Sequence, residues 1–322
     1  MLRFYFALVV LTIWMAGCGF SRAVSSESNI TGPIAEATVL PEEPVEENKI
    51  ATEVGEIEHN GYLLRKVLVT KLYDDDSPPA EIFDAVIERN GKEVLRFEGS
   101  YYPLGNEMRL GLTDKLAPGG AQFVVEEASN RFGALWVVDV SGTPGVIFDS
   151  GDYGGFREFI DYDDIDGDGL LEVDIARYYS CDFEGMSHSQ TPMVSIVFGY
   201  DPGSRKMLPV DYKLADKVVA RSAEYAEETR SGARKAEFRP LIEHVVDLAL
   251  AGRETEAWRF FDENYSRYRE AFKESPSTWN SNGTFCCQGA NIPTSTARSL
   301  LRQCFDSDPV VKSIRQQLRA EL

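Results

Sequence analysis

Asp164, Asp166 and Asp168 alternate along the chain, Gly169 follows, and Glu172 comes three residues after it. Alternating aspartates in a tight loop converge their carboxylates on one point. The glycine permits the sharp turn that brings the next carbonyl inward. Hard oxygen ligands in that number suit a calcium ion. The competing expectation is a solvated acidic turn, because Asp and Gly are the default turn residues. An EF-hand does not fit: its twelfth position needs a bidentate acid, and counting from Asp164 that position is Ile175. The flanks also read as strands rather than helices.

The stretch resembles the calcium loops of FG-GAP and VCBS-type repeats, with the pattern D-x-D-x-D-G-x-x-(D/E). In that family the first, third, fifth and ninth residues give side-chain oxygens and the seventh gives its carbonyl. Carried over, the resemblance implies Asp164, Asp166, Asp168 and Glu172 as side-chain ligands and Leu170 as the carbonyl donor. It implies a structural Ca2+ that neutralises carboxylates in a hairpin, rather than a catalytic ion. The family shows several such loops and this chain shows one.

Five cysteines are present: Cys18, Cys181, Cys286, Cys287 and Cys304. The first belongs to a leader. Met1-Leu2-Arg3 gives a positive start, residues 4–14 are almost unbroken apolar sequence, and Met15-Ala16-Gly17-Cys18 closes with small residues and the cysteine. This is the layout of a secretory signal peptide, too short to span a bilayer as a mature helix. Its ending resembles the lipobox of bacterial lipoproteins, with Met15 where that family has Leu. The resemblance implies a signal peptide over residues 1–17, lipidation of Cys18 as the new N-terminus, and attachment to a membrane through the acyl anchor. Gly19 is not the aspartate of an inner-membrane retention signal, so in a diderm bacterium the outer membrane is implied. The other four cysteines form an even set in a compartment that permits disulfides. A bond between adjacent Cys286 and Cys287 would strain the peptide. One of them is therefore expected to pair with Cys304, which leaves the other for Cys181. A zinc site is the rival, but no C-x-x-C spacing supports it.

Residues 18–55 are rich in Ser, Thr, Pro and Glu, with no apolar period, and read as a disordered acidic tether. The whole chain carries 33 basic and 52 acidic residues, a net charge of −19. Loss of residues 1–17, whose one charged side chain is Arg3, would make it −20. Such a surface repels phosphate backbones, which argues against nucleic-acid binding. It would also be repelled by anionic lipid heads, which leaves the acyl chain as the membrane contact.

Around the acidic loop the pattern is β. Strands are expected over residues 62–72, 82–88, 93–98, 122–126, 134–140, 145–148, 156–161, 171–178, 194–200 and 207–212, with Asn90-Gly91 as a hairpin turn. The short, turn-bounded spacing argues for an antiparallel sheet, sandwich or partial propeller over residues 56–212. No internal repeat stands out. Residues 213–322 read as helical, with helices over 213–230, 240–251, 254–273, 295–305 and 309–322, and with Thr294 and Asp308 as candidate caps. The expected fold class is α+β, an N-terminal antiparallel β domain followed by an α-helical region.

Leu248-Ala249-Leu250-Ala251-Gly252, followed by Glu256-Ala257-Trp258 and Phe260-Phe261, is similar to the helix-turn-helix of tetratricopeptide repeats. One unit appears where an array needs about three, so it reads as one helical hairpin with aromatic core residues. Cys181, Asp182, Glu184 and His188 could form a transition-metal cluster, but a disulfide uses Cys181 more simply. His244, on a helix near Glu243 and Asp247, reads as a surface or boundary residue. Motifs of the G-x-S-x-G, H-E-x-x-H and P-loop types are absent from the sequence. Two functions remain. One is a non-enzymatic envelope lipoprotein that binds another envelope protein or a glycan. The other is an envelope hydrolase of glycosidase type, whose carboxylate pair cannot be picked from 52 acidic residues.

Overall fold

The computed structural model describes residues 55–71, 80–100, 107–128, 133–154, 159–179, 192–231, 238–274 and 293–321. Cys18, Cys181, Cys286 and Cys287 lie outside the described residues, as do the expected leader and all but residue 55 of the expected tether.

Among the described residues, twelve strands form three four-stranded antiparallel sheets, each a meander of consecutive strands. The first sheet joins β1 (Glu56–His59), β2 (Tyr62–Lys71), β3 (Ala80–Arg89) and β4 (Lys92–Phe97). The second joins β5 (Glu107–Thr113), β6 (Gln122–Ala128), β7 (Gly133–Asp139) and β8 (Gly145–Asp149). The third joins β9 (Phe159–Asp163), β10 (Glu172–Tyr178), β11 (Met193–Asp201) and β12 (Lys206–Pro209). Five α-helices among the described residues follow: α1 (Ala215–Ser231), α2 (Phe238–Leu250), α3 (Glu254–Glu274), α4 (Thr294–Ser307) and α5 (Pro309–Ala320). The α+β class with an antiparallel N-terminal part is the observed one.

Two-residue turns hold the first sheet in register. Asn60 and Gly61 have φ of 52° and 74°, and Asn90 and Gly91 have 53° and 70°. Both pairs therefore take the left-handed conformation that a tight hairpin requires, and Asn-Gly tolerates it best.

Alternation along the strands builds the layers. Phe123 and Val125 of β6 pack with Tyr62, Leu64, Ala85 and Ile87 of the first sheet. Val124, on the opposite face of β6, belongs to a second core with Val173 and Ile175 of β10 and Ile196 and Phe198 of β11. The second sheet thus lies between the first and third, with Phe148 of β8 against Phe198 at 4.8 Å between ring centres. Consecutive four-stranded meanders are the building pattern of propeller blades. The repetition lies in the pairing and not in the residues.

The second core continues into the helices through Leu241, Val245, Phe261, Phe305 and Ile314. The α2–α3 hairpin closes with a double bond pattern: Arg253 N–H donates to Leu248 C=O at 2.8 Å and Gly252 N–H donates to Ala249 C=O at 3.0 Å. This Schellman turn needs a left-handed residue, and Gly252 supplies it with φ of 74°. Trp258, Phe260 and Phe261 are buried, as a hairpin with aromatic core residues requires. Asp308 caps α5, accepting from Val310 and Val311 N–H at 2.8 and 3.1 Å. Thr294 does not cap α4: it is the first helical residue, Pro293 holds the cap position, and no side chain bonds there. Among the described residues, no helix is long and apolar enough to cross a membrane.

Candidate metal centre

The acidic loop joins β9 to β10, whose pairing begins at Asp163 opposite Glu172, so residues 164–171 must turn back on themselves. The loop closes on its own carboxylates. Asp164 accepts from Gly167 N–H at 2.8 Å through one oxygen and from Gly169 N–H at 3.0 Å through the other. Asp166 accepts from Asp168 N–H at 3.0 Å, and Asp168 accepts from Leu170 N–H at 2.8 Å. Gly167 and Gly169 take φ of 82° and 90°, a region costly for any residue with a Cβ.

Asp164, Asp166 and Glu172 each offer a carboxylate oxygen, and these three oxygens lie within 4.8 Å of one another. That span is about twice a calcium–oxygen bond of roughly 2.4 Å, so one ion can reach all three. The donor set is hard oxygen, which suits magnesium and manganese as well as calcium. Asp168 is outside this group, its carboxylate being turned to the Leu170 N–H. Leu170 is half-buried beside the cluster.

Glu172 differs from the two aspartates in being buried, at 4% exposure. Burial pushes its carboxyl up first. The Ile165 N–H, at 2.7 Å, pulls it down, the charge of Asp166 pushes it up, the Asp166 N–H pulls it down, and the charge of Asp168 pushes it up again. A cation beside it would offset both the burial and the two like charges. The loop is braced from outside: Leu171 N–H donates to Lys115 C=O at 2.7 Å, and Lys217 of α1 donates its ammonium to Ile165 C=O.

Of the cysteines, Cys304 is described. It is half-buried against the helical core and disulfide-bonded.

A second cluster escaped the sequence reading. His244 is not a surface residue: it is 4% exposed, and Phe260 packs edge-on against its ring at 4.5 Å. Its Nδ1 lies 2.8 Å from the hydroxyl of Ser222, which donates to Asp247 at 2.6 Å. His244 and Asp247 share one face of α2 at i, i+3 spacing, a signal present in the sequence. Ser222 lies on α1, and only the packing of the two helices brings it there. His244 also lines a cavity of about 600 Å3 between α1, α2 and α3, together with Leu248, Phe260, Glu256, Arg259 and Glu263.

Compared with protein-family models, with curated proteins and with solved structures, the chain has no match.

Proposed function

We propose that this chain is a lipid-anchored envelope protein that serves as a non-enzymatic binding or interaction module, with a structural calcium ion holding the β9–β10 connection. The observation that carries the calcium reading is the approach of Asp164, Asp166 and Glu172 within 4.8 Å. These three residues would hold the ion, and its charge would offset the repulsion that the closed hairpin imposes. The anchor rests on the leader and on Cys18, followed by an acidic tether that spaces the folded part from the lipid. Another envelope protein or a glycan is the partner class that fits this placement.

The cavity between α1, α2 and α3 favours binding over hydrolysis. A glycosidase needs an acid held above the usual range. On the cavity wall, Glu256 is held below it by hydrogen bonds from Arg253. The buried carboxyls that are raised, Glu172, Asp211 and Asp247, do not line that cavity.

Calorimetric titration of the full chain with calcium tests the site. Saturable binding that is lost in Asp164→Asn/Asp166→Asn supports it, and absence of binding heat at millimolar calcium overturns it. Detergent partitioning and intact mass of Cys18→Ala test the anchor. A variant that partitions and weighs as the parent does, apart from the substitution, would overturn the lipid.

A further inference from the structure

Between the third sheet and helices α1 and α2, two carboxylates meet one guanidinium, and a third is buried on α2. Arg221 of α1 donates to Asp174 of β10 at 3.2 Å, lies 3.9 Å from Asp211, and donates to the Ser195 carbonyl at 2.9 Å. Asp211, in the segment between β12 and α1, has no exposed surface and accepts from Val197 N–H through both oxygens at 3.2 Å. Asp247 of α2 is 5% exposed and is held by the Ser222 hydroxyl.

The other described groups in this interface are engaged with one another. Ser195 of β11 donates its hydroxyl to Asp174. Glu243 of α2 is occupied by Arg239 at 2.8 Å and by Met193 N–H at 2.9 Å. His244 shares Ser222 with Asp247. Arg221 thus serves Asp174 and Asp211 at once, and its charge also reaches the buried Asp247. A buried charge without its own counterion is strongly disfavoured, and protonation is the cheapest way to remove it.

We propose that the docking of α1 and α2 onto the third sheet is a proton-dependent latch, closed when Asp211 and Asp247 hold protons and loosened when they ionise. The direction of both carboxyls agrees. Burial, the largest cause in each, raises Asp211 to about 7 and Asp247 to about 6 from an ordinary 3.8. Arg221 opposes the rise at both positions, and Asp174 adds to it. When the helices lift, water returns and both groups go back to their ordinary range. The docked state then holds more protons than the open state from about pH 4 to about pH 7, so docking weakens as pH rises through that window and levels off above it.

Hydrogen exchange on the full chain reads this directly, once corrected for the intrinsic pH dependence of amide exchange. Amides of α1 that exchange only on opening should lose protection by about tenfold per pH unit between about pH 6 and pH 7, where one proton is released. They should level off above that. Infrared difference spectra of the same protein should show a protonated-carboxyl band that bleaches over the same range. Asp211→Asn and Asp247→Asn should each remove part of the band and flatten the exchange profile. Protection that stays constant from about pH 5 to pH 8, or a wild-type spectrum without the band near pH 5, overturns the latch. Both wild-type readouts decide the question even where a variant fails to fold.

Discussion

In the β9–β10 connection the solvent-facing Asp164 and Asp166 meet the buried Glu172, whereas Asp174, Asp211 and Asp247 lie between the third sheet and its helices. The first cluster has backbone N–H groups within reach of nearly every carboxylate, two of them presented by glycines in left-handed conformations. Water reaches its two aspartates, and a cation can enter. The second cluster has one shared arginine and no such loop, so the charge that Arg221 cannot offset is removed by protons. The same residue type is thus the proposed metal site where the backbone is open to solvent and the proposed titrating element where helices cover it. Calcium should govern the first region and pH the second, with little crossover.

Removing the shared arginine should give the largest effect. Arg221→Ala leaves Asp174 and Asp211 without their cation and should destabilise the protein by about 3 kcal/mol near pH 8, in the range for breaking a partly buried ion pair. Near pH 5 the loss should be smaller, because Asp211, held at about 7, is then protonated and needs no counterion. Denaturant unfolding at the two pH values, with chelator and without, measures it. Equal losses at both would mean that Arg221 acts only through its hydrogen bond to the Ser195 carbonyl and its contact with Asp174.

The surface cluster should answer to calcium instead. At a hundredfold excess over Kd, an ion that binds only the folded chain adds about 2.7 kcal/mol. Asp164→Asn/Asp166→Asn should abolish that gain while leaving the pH profile of the helical interface unchanged. Thermal unfolding with calcium and with chelator shows it, and identical midpoints for the wild type would return the loop to a solvated acidic turn.

A half-buried carboxylate outside both clusters serves as a control. Asp308 pairs with Arg177 and caps α5, and the two side chains are 9% and 11% exposed. It has its own cation and its own N–H donors, so it should depend on neither calcium nor a shared proton. Asp308→Ala should cost about 2 kcal/mol, from the lost cap and from stranding Arg177, and by the same amount with chelator as without. A chelator-dependent loss would mean that the two clusters are coupled through the third sheet.

How legible these regions were follows from particular residues. The hairpin at Asn90-Gly91, the tight turn at Gly252 and the Asp308 cap are local devices, and local sequence announces them. The carboxylates at 164, 166 and 172 are brought together by a loop short enough to be read as spacing. The three-meander stack escaped notice because β1 and β5, which open the first two sheets, were not expected as strands. Both had signals: Asn60-Gly61 repeats the hairpin turn, and Met108, Leu110 and Leu112 alternate along β5. Without those strands the four-strand period disappears. The buried cluster draws on β10, the segment after β12, α1 and α2, so only tertiary packing assembles it. No spacing rule reaches from Asp174 to Asp247.

The smallest expected effect separates the loop's backbone from its ligands. Gly169 has φ of 90°, and a Cβ built there would meet nothing within 4 Å. The cost of Gly169→Ala is therefore conformational rather than steric, on the order of 1 kcal/mol. The Gly169 N–H, which donates to Asp164, is retained in the variant. If the loop holds the same shape with and without the ion, the loss should be the same in calcium and in chelator, and calcium affinity should be unchanged. If the ion draws the loop into this shape, the strain appears mainly in the bound state, and Kd weakens by about fivefold for 1 kcal/mol. Unfolding and calorimetry on this one variant distinguish a loop preorganised by its own Asp-to-backbone bonds from one that calcium folds.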